Sequence, residues 1–241
     1  MKVDWNNKLL RNFIYIETTL GKKHLKINLF GIKLSFNISL KKHTNNIYLK
    51  TADGKLKKIK KIKGLKVIFK NSDSTVIINE PAIKFGNSKI ILGKNCLFEI
   101  GAKTKDELTK VSRVNFTMGK NSKIIIGDNL FFGGGHVALN ENSSLTIGND
   151  CLFSYGLNFM IGEAHSLINS KTQENIPITG NVVIGDRVWI GMNSTILKNA
   201  QLGNDIIVGT CSVVSKKFDT PNIAIAGNPA RIIKENISWK K

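Results

Sequence analysis

Acidic residues are scarce in this chain of 241 residues: 17 Asp+Glu stand against 36 Lys+Arg, a formal net charge of +19. A field of that sign attracts polyanions such as nucleic acid, anionic lipid headgroups or an acidic polysaccharide. An AT-rich genome that inflates lysine at exposed positions is the competing source of the same excess. Cysteine is scarcer still. Cys96, Cys151 and Cys211 lie far apart with no CxxC and no clustered histidines, which argues against a disulfide scaffold or a zinc site and suits a reducing cytoplasm. The opening MKVDWNNKLLRNFIYIETTL lacks the continuous apolar core and small-residue cleavage site of a signal peptide. No run reaches the ~18 apolar residues of a membrane span. The expected location is therefore the cytoplasm, with contact at a membrane surface as the furthest extension. A hydrophobic content of 41% with 22% charged residues is ordinary for a globular domain with a real core.

What the sequence does contain is a period of six. Ile184, Ile190, Ile196, Leu202, Val208 and Val214 recur without a slip, glycine follows at Gly185, Gly191, Gly203 and Gly209, and mostly small residues stand four positions after each aliphatic, as at Ser194, Ala200 and Ser212. Neither a helical period nor strict alternation produces this. It predicts a coil of short strands, with the aliphatic side chain pointing to the axis, the small residue beside it and glycine accepting turn dihedrals. Stacked coils bury a column that no single coil buries alone. Upstream, NSKIILGKNCLF (87–98), NSKIIIGDNLFF (121–132) and NSSLTIGNDCLF (142–153) repeat one coarser pattern. The polar stretch KTKDELTKVSRVN (103–115) reads as a loop inserted between coils, and GEAHSLINSKTQENIPITG (162–180) as a second one. Loops extruded from a regular scaffold commonly carry function, and the second contains His165.

Outside the repeat, the first twenty residues place Leu9, Leu10, Phe13 and Ile16 at roughly helical spacing, and 24–40 alternates like a β-hairpin turning at Asn28–Lys33. KLKKIKKIKGLK (55–66) is a basic run. The expected organisation is an amino-terminal extension over 1–63 in contact with a polymer or membrane, a β-helix over 64–220 and a capping tail over 221–241.

The stretch IGDRVWIGMNSTILKNAQLGNDIIVGTCSVVSKK, with IAGNPARII after it, resembles the hexapeptide-repeat, left-handed β-helix acyltransferases. Sugar and capsular polysaccharide O-acetyltransferases are the most similar members. The resemblance covers 118–234 well, 64–117 loosely and the first sixty residues not at all. It implies an all-β fold, a left-handed parallel β-helix, acetyl-CoA as co-substrate, no metal, a homotrimer, and a polysaccharide or sugar acceptor, anionic in one reading, rather than nucleic acid. It further implies that His165, in AHSL, is the general base and that Trp189, in RVWIG, lies near it in the assembled site. A sugar hydroxyl is a poor nucleophile, and a neutral imidazole that takes its proton during attack on the thioester is worth roughly 10²–10⁴ in rate. Tetrahedral-intermediate donors are expected from backbone N–H groups that the sequence does not identify. For the co-substrate the same resemblance points to Met192, Thr210, Ser215, Lys216, Arg231 and Lys234, cations there being suited to the CoA phosphates. Met192 and Cys211 depart from the smaller residues usual at their positions.

His136, after GGG, competes with His165 as base, whereas His24 and His43 lie outside the repeat. Solvated lysines and arginines at a solenoid end, and a tryptophan that only packs, are the plain alternatives to these roles. Two other functions remain in view: N-acylation of an amino-sugar nucleotide, and a non-catalytic scaffold that binds a polyanion. The first often needs an amino-terminal βαβ domain, and residues 1–60 have no GxGxxG and are short for one. A zinc-dependent β-helix carbonic anhydrase needs three histidine ligands, and only His136 and His165 lie in the repeat. A short likeness of KKHLKINLFGIKLSFN (22–37) to envelope glycosyltransferases points to the inner face of the cytoplasmic membrane.

Overall fold

The computed structural model describes residues 14–19, 22–29, 32–38, 44–80, 83–101, 108–163, 165–176 and 179–240, with backbone alone before residue 44. Every helix or strand among them is a strand. The chain divides into two units, 1–43 and 44–241.

In the first unit, Ile14–Thr19, Lys22–Leu29 and Ile32–Ile38 form a three-stranded antiparallel sheet. The hairpin turns where the alternation placed it, with Asn28 opposite Lys33. Ile14–Thr19 corrects the helical reading of the first twenty residues: IYIETT is rich in β-branched and aromatic side chains, which favour a pleated surface. Leu9, Leu10 and Phe13 fall outside the described residues.

The second unit is a parallel β-helix of three faces. The first face stacks Asn46–Lys50, Thr75–Asn79, Leu97–Ile100, Lys123–Ile126, Ser144–Ile147, Asn181–Ile184, Gln201–Leu202 and Lys217–Phe218. The second stacks Ile83–Gly86, Thr109–Ser112, Phe131–Phe132, Leu152–Phe153, Trp189–Ile190, Ile206–Val208 and Ile223–Ala226. The third stacks Leu65–Phe69, Ser88–Leu92, Val114–Met118, Gly135–Leu139, Leu157–Ile161, Thr195–Leu197 and Val213–Val214. From Thr75 onward the chain visits the faces in the order first, second, third. Ile184, Ile190, Ile196, Leu202, Val208 and Val214 are all buried to 2% exposure or less, as the hexad predicts.

Glycine serves a different purpose from the one read in the sequence. None of Gly185, Gly191, Gly203 and Gly209 has positive φ; the left-handed corners are instead occupied by Arg187, Asn193, Asp205 and Cys211. A Cβ on Gly191 would lie 2.7 Å from the backbone nitrogen of Thr210, and one on Gly185 2.8 Å from the carbonyl carbon of Gly203. Glycine is there because the next coil passes too close for a side chain. At the left-handed corners, asparagine and aspartate tolerate φ near +55° and bond to their counterparts one coil away. Asn95 donates to Asn121 (3.0 Å), Asn121 to Asn142 (2.9 Å), and Asn129 to Asp150 (2.7 Å).

The core changes character along the axis. Phe98, Phe116, Phe132, Phe153 and Phe159 fill the middle coils, edge to face or tilted, with ring centroids 5.1–6.4 Å apart. The last coils are filled mainly by the aliphatic residues of the hexad, with Phe218 buried on the last strand of the first face.

Three boundaries differ from those expected. The parallel ladder begins at Asn46–Lys50, paired with Thr75–Asn79, so 44–63 belongs with the solenoid. Within it, Leu56–Ile59 folds back antiparallel on that first strand and interrupts the repeat, which hides it from a periodicity search. Of the expected loop over 103–115, Thr109–Ser112 and the start of Val114–Met118 are coil strands, anchored by fully buried Val111 and Val114; residues 102–107 fall outside the described residues. At the other end, Ile223–Ala226 continues the second face, and Arg231–Glu235 returns antiparallel over it.

Candidate active site

The strand Leu157–Ile161 ends at the edge between the third and first faces, and the chain leaves the solenoid there before re-entering at Asn181–Ile184. Inside this excursion Leu167–Ile168 pairs antiparallel with Asn175–Ile176, which holds the loop out as a small hairpin. His165 stands at its base, solvent-exposed. Glu163, two residues before it, is engaged elsewhere: its carboxylate pairs with Lys198 at 2.9 Å and its carbonyl accepts from the Asn140 amide. The root of the loop is thereby tied to the neighbouring coils while the imidazole stays accessible. Leu167, Ile168 and Ile176 are 40–55% exposed, so this loop presents apolar side chains to solvent.

Trp189 lies on the outer side of the second face, between Leu152 and Ile207 in register, and is 38% exposed. Sequence reasoning missed its neighbour. The tail brings Trp239 onto the same face, ring centroids 6.2 Å apart and interplanar angle 53°. Trp239 is 8% exposed, and its indole N–H donates to the Arg187 carbonyl at 2.9 Å. The Arg187 guanidinium stacks 5.6 Å from the Trp239 centroid and pairs with Asp205 at 2.7 Å. A tryptophan alone in the polar NISWKK after the repeat has ended was the available signal, since a large apolar residue in a charged tail needs a partner.

The six residues read for the co-substrate fall at three places. Met192 and Thr210 stack at the edge between the second and third faces, where the Cys211 N–H donates to the Met192 carbonyl at 2.8 Å. Arg231 sits near that edge, opposite Ala226, with Lys234 further along the return strand. Ser215 and Lys216 occupy the edge between the third and first faces, two coils below the His165 loop, and the Lys216 ammonium lies 5.2 Å from the Phe218 ring centroid. All six are exposed. His136, the competing histidine, lies half-buried on the third face between Asn115 and Asn158.

Within one chain, then, the structure does not bring His165 and Trp189 together. His165 leaves the edge shared by the third and first faces, whereas Trp189 is on the second, the one face that does not reach that edge. They are nevertheless at nearly the same height, the loop ending where the coil of Trp189 begins.

A family model described as bacterial transferase hexapeptide (six repeats) matches residues 181–216. A polysialic acid O-acetyltransferase of Neisseria meningitidis is 32% identical over 168 residues, covering 68% of this chain and 78% of that protein. The chain belongs to the hexapeptide-repeat acyltransferases. A second polysialic acid O-acetyltransferase, from Escherichia coli O1:K1 / APEC, is 31% identical over 123 residues, 51% of this acyltransferase but only 39% of the length of the relative. The crystal structure of the polySia-specific acetyltransferase NeuO superposes with a TM-score of 0.69 at 25% identity, over 82% of this chain and 85% of that one. The acyltransferase therefore has the left-handed parallel β-helix of its family.

Proposed function

We propose that this acyltransferase moves an acetyl group from acetyl-CoA to a hydroxyl of an acidic bacterial surface polysaccharide, in the cytoplasm where that donor is available. The site is shared by adjacent subunits of a homotrimer, with His165 as general base facing Trp189 of the partner subunit. The observation that carries this reading is the placement of the two residues on opposite sides of one solenoid at one height. Cyclic symmetry turns opposite sides into facing ones. Named relatives that act on polysialic acid, together with the net charge of +19, support an acidic acceptor.

In such a site the imidazole takes the acceptor proton as the hydroxyl oxygen attacks the thioester carbonyl carbon. The C–S bond then breaks, and the imidazolium returns the proton to the CoA sulfur. Met192, Thr210 and Arg231 approach the donor from the Trp189 side, and Ser215 and Lys216 from the His165 side. Lys234 extends the basic end for the CoA phosphates. N-acylation of an amino-sugar nucleotide is less well supported. Ile14–Thr19 and Lys22–Leu29 are antiparallel and two residues apart, which leaves no room between them for the crossover helix of a nucleotide-binding βαβ unit.

Subunit mixing tests the reading. His165→Ala and Trp189→Arg variants, each inactive alone, regain part of the parental rate when unfolded and refolded together, because some interfaces then carry both native residues. Absence of rescue, or a scattering mass near 26.7 kDa, contradicts a shared site.

A further inference from the structure

The outer side of the second face carries one continuous row. Lys84 pairs in register with Lys110, Lys110 with Phe131, Phe131 with Leu152, and Leu152 with Trp189. The next residue inward on each strand is buried, from Phe85 and Val111 to Ile190, so these five side chains share the outward direction. At the amino-terminal end of the row, Lys84 and Lys110 join Lys63 and Ser112 in lining a cavity of about 390 Å3. A Cβ on Gly86 would lie 2.8 Å from the Ser112 Oγ, so glycine keeps that hydroxyl uncovered.

Among the described residues Lys50 pairs with Glu99, Lys198 with Glu163 and Lys217 with Asp219, and most other lysines form no ion pair with a described carboxylate. Among the described residues, Lys63, Lys84 and Lys110 have no such partner. Three ammonium groups brought to one concavity repel one another, and an anion relieves that repulsion. The row that leaves the cavity becomes apolar and aromatic toward Trp189. Tyr155 flanks Phe131 at 6.4 Å, and the Arg113 guanidinium lies 5.5 Å from the Tyr155 ring centroid.

We infer that the Lys63, Lys84 and Lys110 cavity is a remote acceptor subsite, holding a carboxylate of an acidic polysaccharide whose reacting sugar lies at Trp189. This inference rests on the acceptor proposed above. Strands stack ~4.8 Å apart, so Lys110 and Lys84 lie three and four spacings from Trp189, ~14 and ~19 Å. That is the reach of several sugar units and not of one. Phe131, Tyr155 and Leu152 supply faces against which the C–H sides of intervening sugars pack, and Arg113 adds a cation beside the path. An anionic lipid surface is the rival occupant, but a concave cavity continued by an aromatic row fits a strand of sugars better than a plane of headgroups.

The test compares acceptor lengths. For Lys84→Glu/Lys110→Glu, with Lys84→Gln/Lys110→Gln as a milder second variant, KM is measured for long-chain polysialic acid, for the corresponding disaccharide and for acetyl-CoA. Two screened surface pairs exchanged for repulsion are expected to raise KM for the long polymer about tenfold. KM for the disaccharide and for acetyl-CoA should stay within about twofold, and the penalty on the polymer should shrink as salt rises. An equal change for both lengths, or none, overturns the subsite. Loss of sedimentation with phosphatidylglycerol vesicles at an unchanged ratio of lengths overturns it in favour of a lipid site. If the parent acetylates neither length of any acidic glycan offered, the acceptor reading fails and the subsite with it; if the parent acetylates both and the variants keep its length ratio, only the subsite fails.

Discussion

Trp189 and Trp239 meet on the second face although fifty residues separate them in the chain, their ring centroids 6.2 Å apart. The contact makes the tail a wall of the candidate site, held by the indole bond to the Arg187 carbonyl and by the guanidinium over the ring. Trp239→Ala is expected to free the Trp189 ring and lower kcat/KM for acetyl transfer by up to about tenfold, the worth of one aromatic pair. Trp239→Phe should recover part of the loss. Steady-state kinetics on the two variants decides the matter, and parental kinetics for Trp239→Ala would reduce the tail to a structural cap.

His165→Ala is expected to lower kcat by roughly 10²–10⁴ while leaving acetyl-CoA binding close to that of the parent, since the role proposed for the imidazole is on the acceptor proton. His136→Ala is the internal control. That ring sits half-buried in the row of Asn115 and Asn158, away from the loop. Paired measurements of rate and of acetyl-CoA binding by calorimetry separate the two, and an inactive His136→Ala beside an active His165→Ala would transfer the role.

Gly148 tests the close approach of coils. A Cβ there would lie 2.6 Å from the carbonyl carbon of Gly185, which is backbone and cannot swing aside. Gly148→Ala should therefore cost about 1–3 kcal/mol by overpacking, although alanine at an open site would stabilise. Urea unfolding at constant m-value gives the number, and an unchanged midpoint would refute the steric account.

Asn121 tests the corners. It holds φ at +56° and links Asn95 to Asn142 through its amide. Asn121→Ala loses these bonds and adds a left-handed alanine, an expected loss of about 1–2 kcal/mol. Asn121→Gly loses the same bonds without the dihedral cost and should retain more stability. Equal thermal shifts for the two would assign the whole effect to the amide ladder.

The sequence revealed most where each coil obeys one rule. Ile184 to Val214 are aliphatic every six residues because no loop or large ring intervenes, and both the inward register and the family followed from them. The middle coils follow the same geometry, but Phe98, Phe132 and Phe153 replace small aliphatics and coil lengths vary, so the period blurred and Thr109–Ser112 looked like loop. The first strand was hidden because the Leu56–Ile59 hairpin separates it from the rest. The role of glycine was misread for a different reason. Proximity to the next coil is a tertiary fact, whereas a turn dihedral is a local one, and local reasoning favoured the latter. His165 and Trp189 were both legible as candidates, but their separation to opposite sides of the prism depends on counting faces, which a linear pattern does not display.

The unbroken pairing of the second face has a metric consequence. Each coil adds one strand to the row from Lys84 to Trp189, so the span between the two ends of that row changes only in whole steps of ~4.8 Å. From Ile184 to Leu202 one coil uses eighteen residues. Inserting or deleting a coil of that length between Lys110 and Trp189 would lengthen or shorten the row by one notch while leaving each end chemically intact. The solenoid thus acts as a graduated rule, and an acceptor too short to reach the next mark gains nothing from the lysines beyond it.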